Sequence, residues 1–227
     1  MRNKLRRFED LSRFSNVIEN SEYDKPVLYR DRNTPVDLKS QWNAKFFERD
    51  KPLVLELACG RGEYTVQLAK DNPDKNFIGV DIKGARIWKG AHFALENNMK
   101  NVGFLRARIE SIHKFFGKNE VDEIWITFPD PFTRESKENK RLTSRRFLEL
   151  YKMILKPSSP IHLKTDDDGL YHFTLEVLSS LNIVPIYHSA NIYSGSLYTP
   201  ELAFKTYYEM QHLAAGKTIK YIQFRWP

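Results

Sequence analysis

Cysteine is nearly absent: the 227 residues hold one, Cys59. An internal disulfide is excluded, and with it a disulfide-stapled scaffold. Long apolar runs are missing too. Nothing approaches the length of a membrane span, and the opening MRNKLRRFEDLSRF is basic without the apolar centre of a secretory signal. The six histidines are scattered without ligand spacing, so no metal site is expected. No internal repeat or low-complexity tract interrupts the chain. The expected compartment is a reducing cytoplasm.

Positive charge and aromatics are well supplied. The net charge is +7, and 13% of residues are aromatic. A basic, aromatic-rich surface points to a polyanionic partner, nucleic acid first. The length suits one domain with an extension. Residues 1–50 are polar and patchy and read as an arm or short helices outside the sheet; residues 51–227 read as the main domain. From Leu53 onward strands and helices alternate, which marks an α/β chain with a parallel sheet. Strands are predicted at 53–58, 76–81, 102–106, 122–128, 160–165, 183–189 and 218–226, and helices at 63–71, 84–98, 144–155 and 168–181. The helical stripes Ile87, Trp88, Ala91, Ala94, Leu95 and Phe147, Leu148, Tyr151, Ile154, Leu155 are core faces.

The segment from Leu53 to Asp81 is the most informative. An apolar strand containing Glu56 runs into a Gly60-x-Gly62 turn, a helix follows, and a second strand ends in Asp81. That unit holds a nucleoside-bearing cofactor at the carboxyl edge of a parallel sheet. The two glycines allow close backbone approach, and Asp81 suits both ribose hydroxyls. A dinucleotide fingerprint wants a third glycine where Thr65 stands, and a pyrophosphate disfavours Glu63 at the helix start. Three acids near the cleft suit a cationic ligand without phosphates, so S-adenosylmethionine is favoured over NAD. Cys59 is only a small residue that fits the turn.

The fourth strand of this series runs into ITFPDPF, and two prolines make a rigid turn that aims Asp130 into the cleft. Six Lys or Arg residues against two acids follow between Arg134 and Arg146. Such a run is often a solvated face; leaving the cleft directly, it reads here as a phosphate contact, with Lys137, Lys140, Arg141 and Arg145 as RNA-binding candidates. The next strand ends in HLKTDDDG, with Asp166 at the ligand edge and Asp168 as the helix N-cap. Neighbouring aspartates on a strand face opposite ways, which argues against magnesium.

These motifs together resemble the bacterial tRNA (guanine-N7-)-methyltransferases. The resemblance rests on Glu56 to Gly62, GVDI at 79–82, FPDPF at 128–132 with its basic tail, KTD at 164–166 and TYYE at 206–209, in order. It implies a Rossmann-like seven-stranded methyltransferase sheet with one antiparallel strand. It also implies methyl transfer from S-adenosylmethionine to N7 of a tRNA guanine, in the variable loop, giving 7-methylguanosine. By similarity Glu56, Asp81 and Asp130 fall on cofactor positions, with Arg108 where an acid is usual. Substrate positions fall on Arg134, Asp166, Thr206, Tyr207, Tyr208 and Glu209. Phe132, Thr133 and Arg134 depart from the usual Trp-Pro-Lys.

Guanine N7 has a free lone pair and needs no base, so catalysis is alignment plus acids that stabilise the developing cation. Asp166 and Glu209 are candidates, with Asp130 shared between cofactor and base. An amino-group methyltransferase would place its acid before two prolines, which is the wrong register here. A non-catalytic RNA-binding subunit has no need of Glu56, Gly60, Gly62 and Asp81 together. The chain is expected to work as a monomer or weak homodimer.

Overall fold

Leu53–Leu57 is buried at every position, as a strand covered on both faces must be. In the computed structural model, which describes residues 2–226, it lies inside a ten-stranded sheet. Met1 and Pro227, the outer bounds of the two expected segments, lie outside the description. In chain order the strands are β1 (Val17–Glu19), β2 (Leu28–Tyr29), β3 (Pro35–Val36), β4 (Leu53–Leu57), β5 (Asn76–Asp81), β6 (Val102–Arg106), β7 (Glu123–Thr127), β8 (Pro160–Thr165), β9 (Tyr187–Ser189) and β10 (Lys220–Arg225). Their spatial order is β3-β2-β1-β6-β5-β4-β7-β8-β10-β9. From β6 through β8 every pairing is parallel, and β10 is antiparallel to both neighbours. The chain winds outward from β4 through β5 to β6, then returns to β7 on the other side. A cleft opens at such a reversal, above the strands' carboxyl ends.

The helices are α1 (Arg2–Leu11), α2 (Glu63–Asp71), α3 (Gly84–Glu96), α4 (Ile112–Phe115), α5 (Arg145–Lys152), α6 (Asp168–Ser180) and α7 (Tyr207–Ala214). One buried cluster gathers Leu11, Tyr64, Val66, Ile87 and Ala91, from α1, α2 and α3. The other gathers Ile112, Phe147, Leu148, Leu170 and Leu178, from α4, α5 and α6. The sheet is thus covered on both faces, the condition for its parallel core.

Three expectations are corrected. Residues 1–50 are not outside the sheet: β1 pairs in parallel with β6, and β2 and β3 extend it. Trp42 stacks on Phe116 at 5.0 Å and its indole donates to the Phe115 carbonyl. Strands of two or three residues are too short to show alternation in sequence. The cap of α6 is Asp167, whose side chain accepts from the Leu170 N–H; Asp168 instead meets the buried Lys220 at 2.9 Å. The strand expected at 183–189 is paired only at Tyr187–Ser189.

Candidate active site

The turn after β4 folds because three of its residues adopt positive φ: Ala58 (59°), Gly60 (56°) and Gly62 (69°). The two glycines have different work. A side chain on Gly60 would meet nothing nearer than the Ala58 carbonyl at 4.0 Å, so its face is open to a ligand. A Cβ on Gly62 would fall 2.5 Å from the Phe104 ring, so this glycine lets α2 pack closely on β6 and α3.

Asp81 ends β5, buried, with both oxygens held by backbone donors. Gly60 N–H reaches Oδ2 at 2.9 Å and Lys83 N–H reaches Oδ1 at 2.7 Å. The carboxylate is therefore set in place before any ligand arrives, with lone pairs to spare. It lines an outer cavity of about 410 Å³ with Ile82, Arg108, Asp130, Phe132 and Lys140. An inner cavity of about 80 Å³ is lined by Glu56, Gly60, Thr127, Thr206 and Tyr208. Ala58, Arg86 and Phe128 belong to both, so the two are one cleft with a wide mouth and a narrow floor.

Glu56 is 2% exposed at that floor. Burial pushes its carboxyl up to about 7, although the hydroxyls of Thr127 and Thr65 both donate to it and oppose the shift. At the mouth, Arg108 is exposed and lays its guanidinium on Tyr23, 4.5 Å from the ring centre.

The proline–aspartate turn is bracketed by two aromatic residues in the left-handed region, Phe128 (φ 48°) and Phe132 (φ 42°). Bulky residues avoid this conformation, and each is held there at a cost of roughly 1–3 kcal/mol. Arg141 supplies the hold. Its guanidinium donates to the carbonyls of Pro131 (3.0 Å) and Phe132 (3.2 Å), pairs with Glu138 and lies over Phe173. Arg141 is 7% exposed, so its expected role as a phosphate contact is corrected. Asp130 itself is exposed at the cavity mouth and accepts from the Phe132 N–H. Arg134, Lys137, Lys140 and Arg145 are all exposed, with Lys140 on the rim of the outer cavity.

The acceptor side holds a further correction. TYYE opens a helix: Thr206 caps α7, its hydroxyl accepting from the Glu209 N–H. Thr-x-x-Glu is the capping-box pattern, a helix-start signal carried by the sequence itself. Thr206 and Tyr208 line the inner cavity; Tyr207 and Tyr208 are exposed beside Arg61, whose guanidinium lies 4.9 Å and 5.4 Å from their ring centres. Glu209 faces the other way. It is fully buried, 2.9 Å from the Lys164 ammonium, and accepts from the Tyr193 hydroxyl at 2.6 Å. The expectation that it faces a guanine is corrected by that burial. Asp166 stands at the end of β8 and lines neither cavity; Lys217 at 2.5 Å and His212 at 3.3 Å both meet its Oδ2. That carboxylate raises the Lys217 ammonium above its ordinary range. His212 in turn stacks on Phe128.

Lys164 and Arg61 were missed in sequence. A lysine inside the otherwise apolar PIHLKT strand was the available signal, because a buried ammonium demands partners.

The sheet order, the reversal and a cleft holding Glu56, Asp81 and Asp130 define a Rossmann-like methyltransferase. Solved structures share this fold: an antibiotic-related methyltransferase has a TM-score of 0.60 and 16% identity over 84% of this chain and 95% of its own. A 16S rRNA (adenine(1408)-N(1))-methyltransferase mutant from Catenulisporales acidiphilia, solved with its cosubstrate SAM, has a TM-score of 0.56 and 13% identity over 84% and 92%. A family described as putative methyltransferase matches residues 50–222. The tRNA (guanine-N(7)-)-methyltransferase of Christiangramia forsetii is 46% identical over 99% of this chain and 98% of its own. That of Porphyromonas gingivalis is 51% identical over 89% and 82%. The chain belongs to the tRNA (guanine-N(7)-)-methyltransferase family.

Proposed function

We propose that this protein methylates N7 of a guanine in the variable loop of tRNA, using S-adenosylmethionine and giving 7-methylguanosine. The observation that carries the reading is full-length similarity to enzymes named for that reaction, joined to a cleft whose acids suit a cation. The residues present fit the cofactor. Asp81 is prepared for ribose hydroxyls, Gly60 leaves its face open, Arg108 and Asp130 flank the wide mouth, and Glu56 lies at the floor. Bound there, S-adenosylmethionine supplies an electrophilic methyl on a positively charged sulfur. With tRNA as the partner the work falls in the cytoplasm, by a monomer or weak homodimer.

The protein's own task is alignment and electrostatics. Guanine N7 attacks with a ring lone pair, so no side chain removes a proton. Positive charge develops on the base, and a carboxylate nearer N7 than sulfur favours the transition state. One such charge at 4 Å and an effective dielectric of 20 gives about 4 kcal/mol gross, of which the distance difference leaves roughly 1–2 kcal/mol. Asp166 is the acid assigned to the base, once the exposed Lys217 swings aside, and Asp130 is shared between base and cofactor. Thr206, Tyr207 and Tyr208 form the base's wall, while Arg134, Lys137, Lys140 and Arg145 hold phosphates.

Labelled cofactor and unmodified tRNA, followed by nucleoside mapping, test the reading. 7-Methylguanosine in the variable loop is expected; a methyl on any other atom, or none, overturns it. Asp166→Asn should lower the single-turnover rate by about tenfold or more while tRNA affinity holds, since phosphates elsewhere bind the RNA.

A further inference from the structure

The polar partners of the Lys164 ammonium, at the end of β8, come from one segment of chain. The ammonium donates to the carbonyls of Leu202 at 3.3 Å and Phe204 at 3.0 Å, and lies 2.9 Å from Glu209 Oε2. Two donors thus meet backbone carbonyls and the carboxylate stands beside the ammonium as an ion pair, all within residues 202–209. Both side chains of the ion pair are 0% exposed. Tyr193 extends the grip through its hydrogen bond to the other Glu209 oxygen.

The same ammonium touches the other two parts of the cleft. It lies 5.2 Å from the Tyr64 ring of α2 and 5.9 Å from the ring of Phe128, at the start of the proline–aspartate turn. Tyr64 donates to the Glu201 carbonyl, and Glu63 accepts the Tyr207 N–H, so α2 holds the segment too. Cofactor helix, acid turn and acceptor wall therefore meet around one buried charge.

A buried ion pair is seldom the most stable filling for its space. An apolar pair of similar volume is commonly as stable or more so, whereas removing one partner alone strands a charge. What the pair supplies that methylenes do not is direction: an ammonium bonded to the Leu202 and Phe204 carbonyls and paired with Glu209 sets the segment's register against β8. Thr206 and Tyr208, which line the inner cavity, lie within that segment.

We propose that Lys164, with Glu209 and Tyr193, is a positioning group for methyl transfer: it seats residues 202–209 so that the acceptor wall faces the cofactor cleft. Neither Lys164 nor Glu209 touches the base. The inference rests on the tRNA methyl-transfer reading above, and it gives Glu209 a role its burial permits.

The test compares Lys164→Met, Glu209→Gln and the double variant Lys164→Met/Glu209→Leu. Both single variants should unfold at lower temperature than the parent. The double variant should regain most of that loss, yet its single-turnover methylation rate at saturating tRNA and cofactor should stay about tenfold or more below the parent's, with tRNA affinity unchanged. A double variant that recovers both stability and rate overturns the proposal. Should it fail to fold, Tyr193→Phe removes one hydrogen bond away from the cleft; a several-fold slower transfer with unchanged tRNA affinity supports the proposal, and a parental rate overturns it. A parent that transfers no methyl to tRNA N7 refutes the function instead. The seating is then read by amide exchange over residues 202–209, which should quicken in Tyr193→Phe and would contradict the latch by staying at the parent's rate.

Discussion

Single residues in this cleft act through what surrounds them, and Glu56 shows it best. Its burial and raised carboxyl put protonation near neutrality. The sign follows from the raised value. Between the unfolded value near 4.5 and about 7, the folded chain holds a proton that the unfolded chain has released. The group therefore costs stability progressively as pH rises through that window, by at most about 3 kcal/mol. A cationic ligand at the floor favours the carboxylate and expels the proton. Calorimetry at about pH 6, in buffers of different ionisation enthalpy, should count close to one proton released on S-adenosylmethionine binding. Glu56→Gln should abolish that release. A parent that releases none at this pH would show that the cation does not reach Glu56. The residue type was legible in sequence; its protonation was not, because that depends on Thr65, Thr127 and the burial they share.

Elements were legible where periodicity was long. The helix expected at 63–71 and the strands at 76–81, 102–106 and 160–165 match the structure's bounds, because the helix carries an amphipathic stripe and the strands are short, largely apolar segments set off by turn residues. The proline–aspartate turn was legible as rigid but not as strained. Nothing in FPDPF says that Phe128 and Phe132 take positive φ, or that Arg141 reaches back from within the basic stretch to hold their loop. Arginine and phosphate-binding arginine look alike in sequence; only the 7% exposure separates them. Arg141→Lys should weaken S-adenosylmethionine binding by about tenfold, since an ammonium lacks the planar fork that spans two carbonyls. It should leave the salt dependence of tRNA binding nearly intact. Lys137→Ala/Arg145→Ala should do the reverse, flattening the salt slope by up to about two while cofactor affinity holds. Isothermal titration and a salt series of tRNA binding check both. An Arg141 variant with parental cofactor affinity and a flattened slope would return this side chain to the phosphate contacts.

At the scale of the whole molecule, the sequence showed the central sheet and missed its edge. Residues 17–36 carry mixed charges and strands too short to advertise themselves, yet they place β1 along β6 and continue the sheet outward. Leu11, Val17 and Ile18 are 0% exposed and Leu28 is 4% exposed. Burying each such side chain is worth roughly 1.5–3 kcal/mol, so the four together approach the whole stability of an ordinary domain, about 5–15 kcal/mol. The N-terminal segment is also tied to the cleft. Glu19 pairs with Arg106 at 2.7 Å, and Tyr23 lies under Arg108 at the mouth of the outer cavity. A detachable arm and an integral sheet edge therefore differ in a measurable way. Deleting residues 1–36 should lower the thermal midpoint sharply, and β6, left as an exposed apolar edge, should drive self-association visible by size exclusion. In whatever monomeric fraction survives, S-adenosylmethionine should bind more weakly than to the parent. A deletion variant that stays monomeric, melts with the parent and binds the cofactor equally well would make residues 1–36 a separable arm after all, leaving the four buried side chains without the energetic weight assigned to them.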